Sequence, residues 1–273
     1  MMDMLITAQN IDISFSEAQQ LCALYSPLKT NKDLYTCLTE VLSKRAKSPE
    51  FENMPRQIYN NLLFKHYPNE TAIKAAFSNQ YFFQSPKHVV IYELNAGDSR
   101  VDMCKISGTS IAYEIKTDLD NFNRLEKQLL DYTQLFDKVY VICSKNRSKD
   151  IIRLLPDNIG IFAYHQTSHY NYRFEEVKRP CNKNQLNPAA QLQMIPKTDL
   201  VKYLNQNLTE RNDIENSILQ HYSPTTINKI FKQCIRNKYE QRWRFIYQNH
   251  SSILDLDYQW FFKNRIDPEL IYQ

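Results

Sequence analysis

The 273-residue sequence predicts an α/β fold, a mixed sheet flanked by helices, with helical regions before and after it. Three observations carry that prediction. Apolar residues recur at helical spacing up to about residue 81, then switch to a strand-like period at residue 88. Strand-like and helical stretches alternate from there to about residue 165. Beyond Pro180 the composition turns to Asn, Gln and Lys with helical patterning alone. The divisions that follow are a helical N-terminal region over 1–67, a core over 68–178 and a helical C-terminal region over 179–273.

Residues 14–66 read as helical, because Phe15, Ala18, Leu21, Leu24 and Tyr25 share a face and Leu34, Leu38, Val41 and Leu42 repeat it. A basic stretch of Lys44, Arg45 and Lys47 follows, and prolines at 49, 55 and 68 punctuate the next segments. A helix is expected from Asn69–Glu70, burying Ile73, Ala76, Phe77 and Tyr81. Three strands are expected over 88–95, 100–106 and 110–116, with turns over 95–98 and 107–109. A helix over 121–136 carries Leu125, Leu129, Tyr132 and Phe136, and the apolar run 138–143 reads as a central strand. A short helix near 147–155 and a strand over 159–164 complete the core. C-terminal helices are expected over 199–208, 214–221 and 225–247.

Composition excludes several classes of function. Only three glycines are present, Gly97, Gly108 and Gly160, and no phosphate-binding loop of the G-x-x-x-x-G-K type occurs. The net charge of +4 permits a polyanionic partner without demanding one. Six cysteines form no C-x-x-C pair, so reduced core thiols are expected rather than a zinc site. His165 and His169, four apart, fall in a loop and are not read as a zinc pair. The N-terminal residues lack the basic-then-apolar order of a secretion signal, and no apolar run is long enough to span a membrane. The expectation is a cytoplasmic protein.

Chemistry concentrates at Asp102, Glu114 and Lys116. Residues two apart in a strand project from one face, so Glu114 and Lys116 point together while Ile111, Tyr113 and Ile115 enter a core. If Ser107, Gly108 and Thr109 form a three-residue hairpin loop, Asp102 lies opposite Glu114 and Cys104 opposite Ala112. Two carboxylates about 5 Å apart repel without a cation between them. Hard divalent ions take oxygen ligands, so the two carboxylates and the backbone carbonyl of Ile115 form a credible site. A lysine beside such an ion can orient or activate a water, and the parts suit phosphodiester hydrolysis.

These residues resemble the PD-(D/E)XK nuclease superfamily, in which a strand meander carries Asp and then Glu-x-Lys. Here Asp102 matches the acidic residue and Glu114 and Lys116 match the pair, with eleven residues between Asp102 and Glu114. Gln128 and Tyr132, four apart, resemble the Q-x-x-x-Y motif of the RecB-type branch, which implies a substrate-binding place near the site. The string YEIKTDLDNFNRLEKQLLDY over 113–132 also resembles an uncharacterised bacterial family of predicted nucleases. The resemblance covers roughly 68–165 and implies a restriction-endonuclease-like core. It implies Mg²⁺ as cofactor, with Mn²⁺ able to substitute, and nucleic acid as partner, DNA in preference to RNA. A further acidic ligand is implied from the preceding helix, where Glu70 fits, with Glu93 on the first strand as its competitor. A homodimer would supply two sites for cutting a duplex.

Structural readings compete at each position. A bare Glu-x-Lys is weak, and Glu176 with Lys178 forms a second one that reads as a solvated strand end. For Asp102, Glu114 and Lys116 the alternative is a cross-strand salt bridge, which the hairpin register and the Gln128/Tyr132 pair outweigh. Asp118, Asp120 and Arg124 suit a helix cap with an i, i+4 ion pair, with a phosphate contact from Arg124 as the alternative. Arg100 suits either a partner near Asp102 or a phosphate. In 225–247, Lys229, Lys232, Arg236, Lys238, Arg242 and Arg244 stand beside Phe231, Tyr239, Trp243 and Phe245. Its aromatics are expected in the core, and its charges suit either solvent or a nucleic-acid backbone. The expected function is metal-dependent nucleic-acid hydrolysis, in repair or in defence against foreign DNA. A non-catalytic binding protein on the same fold, or a ribonuclease or toxin, is the alternative.

Overall fold

Two capping boxes and two prolines shape the N-terminal region. Ser14 accepts the Glu17 N–H and Glu17 accepts the Ser14 N–H, starting α1 (Phe15–Leu24). Thr30 and Asp33 do the same for α2 (Asn31–Leu42). After a 3₁₀ turn over Ser43–Ala46, Pro49 and Pro55 open α3 (Pro49–Asn53) and α4 (Pro55–His66), where a missing N–H costs no hydrogen bond. The stretch read as helical over 14–66 is therefore four α-helices broken at the prolines. These helices bury Leu21, Leu34, Leu38, Ile58 and Leu62 in a small core of their own. This computed structural model describes residues 11–169, 171–181, 184–204 and 208–272. The chain's start, read above for a targeting signal, lies through residue 10 outside the described residues.

Asn69 caps α5 (Glu70–Tyr81), which buries Ile73, Ala76 and Phe77 and also Lys74. The sheet has six strands in chain order: β1 (Val89–Ala96), β2 (Ser99–Ile106), β3 (Ser110–Lys116), β4 (Lys138–Ser144), β5 (Ile159–Gln166) and β6 (Tyr172–Lys178). The first three form an antiparallel meander, β3, β4 and β5 run parallel, and β6 returns antiparallel. Strand β4 is interior, as its apolar sequence predicts. Gly97, at φ +63°, makes the two-residue turn between Ala96 and Ser99. The β2–β3 register pairs Met103 with Tyr113 and Cys104 with Ala112 across the Ser107–Thr109 loop, as the sequence predicts.

The parallel crossovers are made by α6 (Leu125–Leu135) and α7 (Ser148–Leu154). The helix expected from 121 starts four residues later, because Asp120 turns back to accept the Thr117 N–H and hydroxyl. Beyond the sheet lie α8 (Pro188–Gln193), α9 (Lys197–Leu200), α10 (Arg211–His221), the long α11 (Pro224–Asn249) and α12 (Trp260–Asn264). The helix expected over 199–208 is corrected. After α9 and a 3₁₀ turn over Val201–Tyr203 the chain is extended at Leu204, and 205–207 lie outside the described residues. The C-terminal helices share one continuous core with the sheet, contributing Ile218, Phe231, Ile235 and Phe261. Among the described residues no helix is long and apolar enough to cross a membrane.

Candidate metal centre

The ladder is interrupted on both flanks of one residue, Asp102. On one side Glu93 drops out of the β1–β2 pairing with a left-handed backbone, φ +57°. On the other, Glu114 is not paired with Asp102, and the Ile115 N–H donates to the Asp102 carboxylate at 2.7 Å. A non-glycine residue in the left-handed region is strained, and such strain gathers at functional sites. Here it swings the Glu93 carboxylate towards Asp102. One oxygen from each of Glu70, Glu93 and Asp102 lies within 4.8 Å of the others.

Helix α5 supplies Glu70 and, one turn on, Lys74. The Lys74 ammonium is buried and contacts all three carboxylates, Glu70, Glu93 and Asp102, the last at 3.2 Å. Helix α6 supplies the other half. The single Tyr132 hydroxyl proton lies between two acceptors, Glu114 at 2.9 Å and the Arg100 carbonyl at 2.7 Å, while Gln128 accepts from Lys116 at 3.1 Å. Lys116 also donates to Glu114 at 2.6 Å. Tyr113 points to the opposite face, where its ring meets Phe77 of α5.

The site is rich in buried negative charge. Burial, then the nearby Glu114 carboxylate, pushes Asp102 well above the usual carboxylate range despite Lys74. Burial also raises Glu114, against the pull of Lys116 and of the Tyr132 hydroxyl. Burial would push the Lys74 ammonium down, but Asp102, Glu70 and Glu93 outweigh it and hold it firmly protonated. Glu70, the half-exposed member, is lowered on balance because Lys74 outweighs its burial. Tyr132 is raised by burial and by Glu114, so its hydroxyl keeps its proton.

The structure brings together Asp102, Glu114, Lys116, Gln128, Tyr132, Glu70, Glu93 and Arg100. It also redistributes their expected roles. The convergence of carboxylates within 4.8 Å joins Asp102 to Glu70 and Glu93, while the two oxygens of Glu114 are engaged by Lys116 and Tyr132. Tyr132, expected to meet substrate, is fully buried, and its hydroxyl faces Glu114. Arg100 pairs with Glu93 at 2.8 Å. The ion pair expected between Asp120 and Arg124 is not formed: Asp120 is held by Thr117, and Arg124 is exposed at the start of α6. Arg147 instead ties the Thr117 and Asp120 carbonyls. The second Glu-x-Lys is structural, Glu176 accepting from Tyr140 and Lys178 donating to the Leu155 and Pro156 carbonyls. Lys74 escapes the sequence reading, although a lysine amid TAIKAAF on a buried helix signals a carboxylate partner.

The family described as Bacteriophage P4 protein cII matches residues 65–258. Protein cII of Enterobacteria phage P4 is 27% identical over 145 residues, an alignment covering 51% of this chain and 54% of that protein. The matched part therefore spans about half the length of that relative. A solved protein of unknown function from Silicibacter pomeroyi is similar over 38% of this chain and 66% of its own, at 19% identity and a TM-score of 0.28.

Proposed function

We propose that this chain, which belongs to the Bacteriophage P4 protein cII family, is a divalent-metal-dependent nuclease with a restriction-endonuclease-like core, acting on DNA. The observation that carries the reading is the convergence of Glu70, Glu93 and Asp102 beside Glu114 and Lys116, at the place where the sheet opens. The donor set fits a hard cation: oxygen ligands only, with Asp102 and the neighbouring Glu114 buried deeply enough that their carboxyls are pushed up. Asp102, Glu70 and Glu93 would hold the ion, with Glu114 next to them. The Ile115 carbonyl lies on the edge of β3 whose N–H already reaches Asp102. A Mg²⁺ or Mn²⁺ ion bound there supplies Lewis acidity to a phosphoryl oxygen and a more acidic water.

The chain's own groups do the rest. Lys116 has three N–H donors, and Glu114 and Gln128 take two of them. The third is free to donate to a water or a phosphate oxygen. Tyr132 fixes the rotamer of Glu114, and Gln128 fixes that of Lys116. Purified protein with Mg²⁺ or Mn²⁺ is expected to cleave labelled DNA, tested beside RNA in single- and double-stranded form. Lys116→Ala and Glu114→Gln are expected to lower the rate by about 10²–10⁴-fold. Unchanged cleavage by both variants defeats the assignment.

One observation favours a second reading, a non-catalytic nucleic-acid-binding protein on the same fold. The Lys74 ammonium already pairs with all three carboxylates, in the place where an ion would draw them together. Calorimetric titration with Mn²⁺ separates the two, since absence of binding leaves only the second.

A further inference from the structure

A cleft of about 850 Å³ runs from Glu93 and Arg100 to the C-terminal helices. One wall is the β1–β2 hairpin with the face of α6 that carries Asp131 and Gln134, and the other is formed by α11 and α12. Its size lies within the range of about 300–1,000 Å³ typical of ligand clefts. Five cationic side chains line it: Arg100, Lys238, Arg242, Lys263 and Arg265. The acidic groups on its wall are already engaged. Glu93 holds Lys74 and Arg100, Asp98 pairs with Lys127, and Asp131 accepts from the Ser99 hydroxyl. Among the described residues, Lys238, Lys263 and Arg265 are exposed and have no carboxylate partner. Arg242 gives one N–H to Asp267, and its Nε is buried without a hydrogen-bond partner.

Backbone strain marks the same cleft. Three non-glycine residues among those described have positive φ, and two of them, Glu93 and Arg265, line it. Arg265, at φ +56°, ends α12 in the left-handed conformation and remains exposed. The cations come from three elements: Arg100 from β2, Lys238 and Arg242 one turn apart on α11, and Lys263 and Arg265 at the end of α12. Cations spread over several elements along a cleft suit a chain of phosphates.

We infer that this cleft is the track for the phosphodiester backbone of a nucleic-acid strand, with Lys238, Lys263 and Arg265 contacting successive phosphates and Arg100 closing the end at the carboxylates. The inference rests on the nuclease reading for what happens at that end, but binding is separable from cleavage. The Glu114→Gln protein, in chelator, is titrated with labelled single- and double-stranded DNA and RNA over a range of salt. Lys238→Glu/Lys263→Glu/Arg265→Glu in that background is expected to weaken nucleic-acid binding at least about tenfold. It should also flatten the salt dependence by roughly two to three in log–log slope, at about 0.7–0.9 per phosphate contact. The control is Lys44→Glu/Lys47→Glu/Lys149→Glu, an equal charge change at exposed positions away from the cleft. It should leave most of the affinity. Equal losses in the two triple variants, or no loss in either, overturn the inference. So does binding of pyrophosphate or a mononucleotide in the cleft without binding of any polynucleotide. Retained, cleft-dependent binding with no cleavage by the wild-type protein supports the track and removes only the catalytic reading.

Discussion

Lys74 governs how the candidate centre meets a cation. A buried ammonium touching three carboxylates stands where an ion would draw its ligands, and both compete for the same negative charge. Replacing it by Met removes the competitor and leaves the stem's volume filled. Without metal, Lys74→Met is expected to lose about 3–5 kcal/mol of stability, the cost of leaving buried carboxylates unpaired. With Mn²⁺ it should regain much of that, because mass action stabilises whatever the folded state alone binds. Affinity for Mn²⁺ should rise on the order of tenfold, since a unit charge within a few ångströms is removed. Thermal melts with and without Mn²⁺, beside calorimetry, read both effects. Weaker Mn²⁺ binding in the variant would instead mean that Lys74 organises the ligands rather than competing with the ion.

At the scale of elements, the close approach of a neighbouring side chain to a strand's backbone sets what the sheet tolerates. Gly160 opens β5 where a Cβ would run into the Tyr140 ring on β4 and into Pro180. Tyr140 cannot swing away without giving up its hydrogen bond to Glu176 of β6. Gly160→Ala is therefore expected to cost about 1–3 kcal/mol, read as a lower urea midpoint with an unchanged slope. No measurable change would show that β4 and β6 yield more easily than their packing implies. The meander was legible in the sequence to within a residue or so, and the β2–β3 register followed from one loop length at 107–109 as far as Met103 and Tyr113, beyond which the expected Asp102–Glu114 pair is not formed. Strand β6 was seen only at its end because Arg173, Glu175 and Glu176 dilute the apolar signal. Its period of two, Tyr172 and Phe174 inward and Arg173 and Glu175 outward, is that of a sheet edge. In the site, Asp102, Glu114 and Lys116 were readable because strand alternation fixes their face. Lys74 was not, because its place depends on how α5 lies over the sheet, and Glu93 was legible only as a candidate, because its face is set by a left-handed kink.

At the scale of the whole molecule, the N-terminal helices meet the rest through Phe64 and Lys65 against Gln166 and Tyr172 of the sheet, and through a short C-terminal segment. Leu256 joins the N-terminal core, Asp255 accepts from Asn60 and Asn79, and Asp257 accepts from Tyr25 at 2.9 Å and from Tyr272 at 2.6 Å. Asp257 thus ties the end of α1 to the end of the chain. Burial raises its carboxyl from 3.8 to about 6, against both tyrosine hydroxyls and the nearby Arg56, with Asp255 adding to the rise. The sign follows from proton uptake. Between about pH 4 and 6 the folded protein holds a proton at Asp257 that the unfolded chain releases, so stability falls as pH rises through that window. A rise from 3.8 to about 6 corresponds to about 3 kcal/mol, present below pH 4 and lost by pH 7. Asp257→Asn carries no such titration, although it gives up one tyrosine contact at every pH because its amide nitrogen cannot accept. Urea denaturation of both proteins from pH 4 to 7 is therefore expected to show their difference moving in favour of the variant by up to that amount. A difference that stays constant across the range would mean that Asp257 is ionised in the folded protein throughout, with the two tyrosines meeting the full cost of its burial.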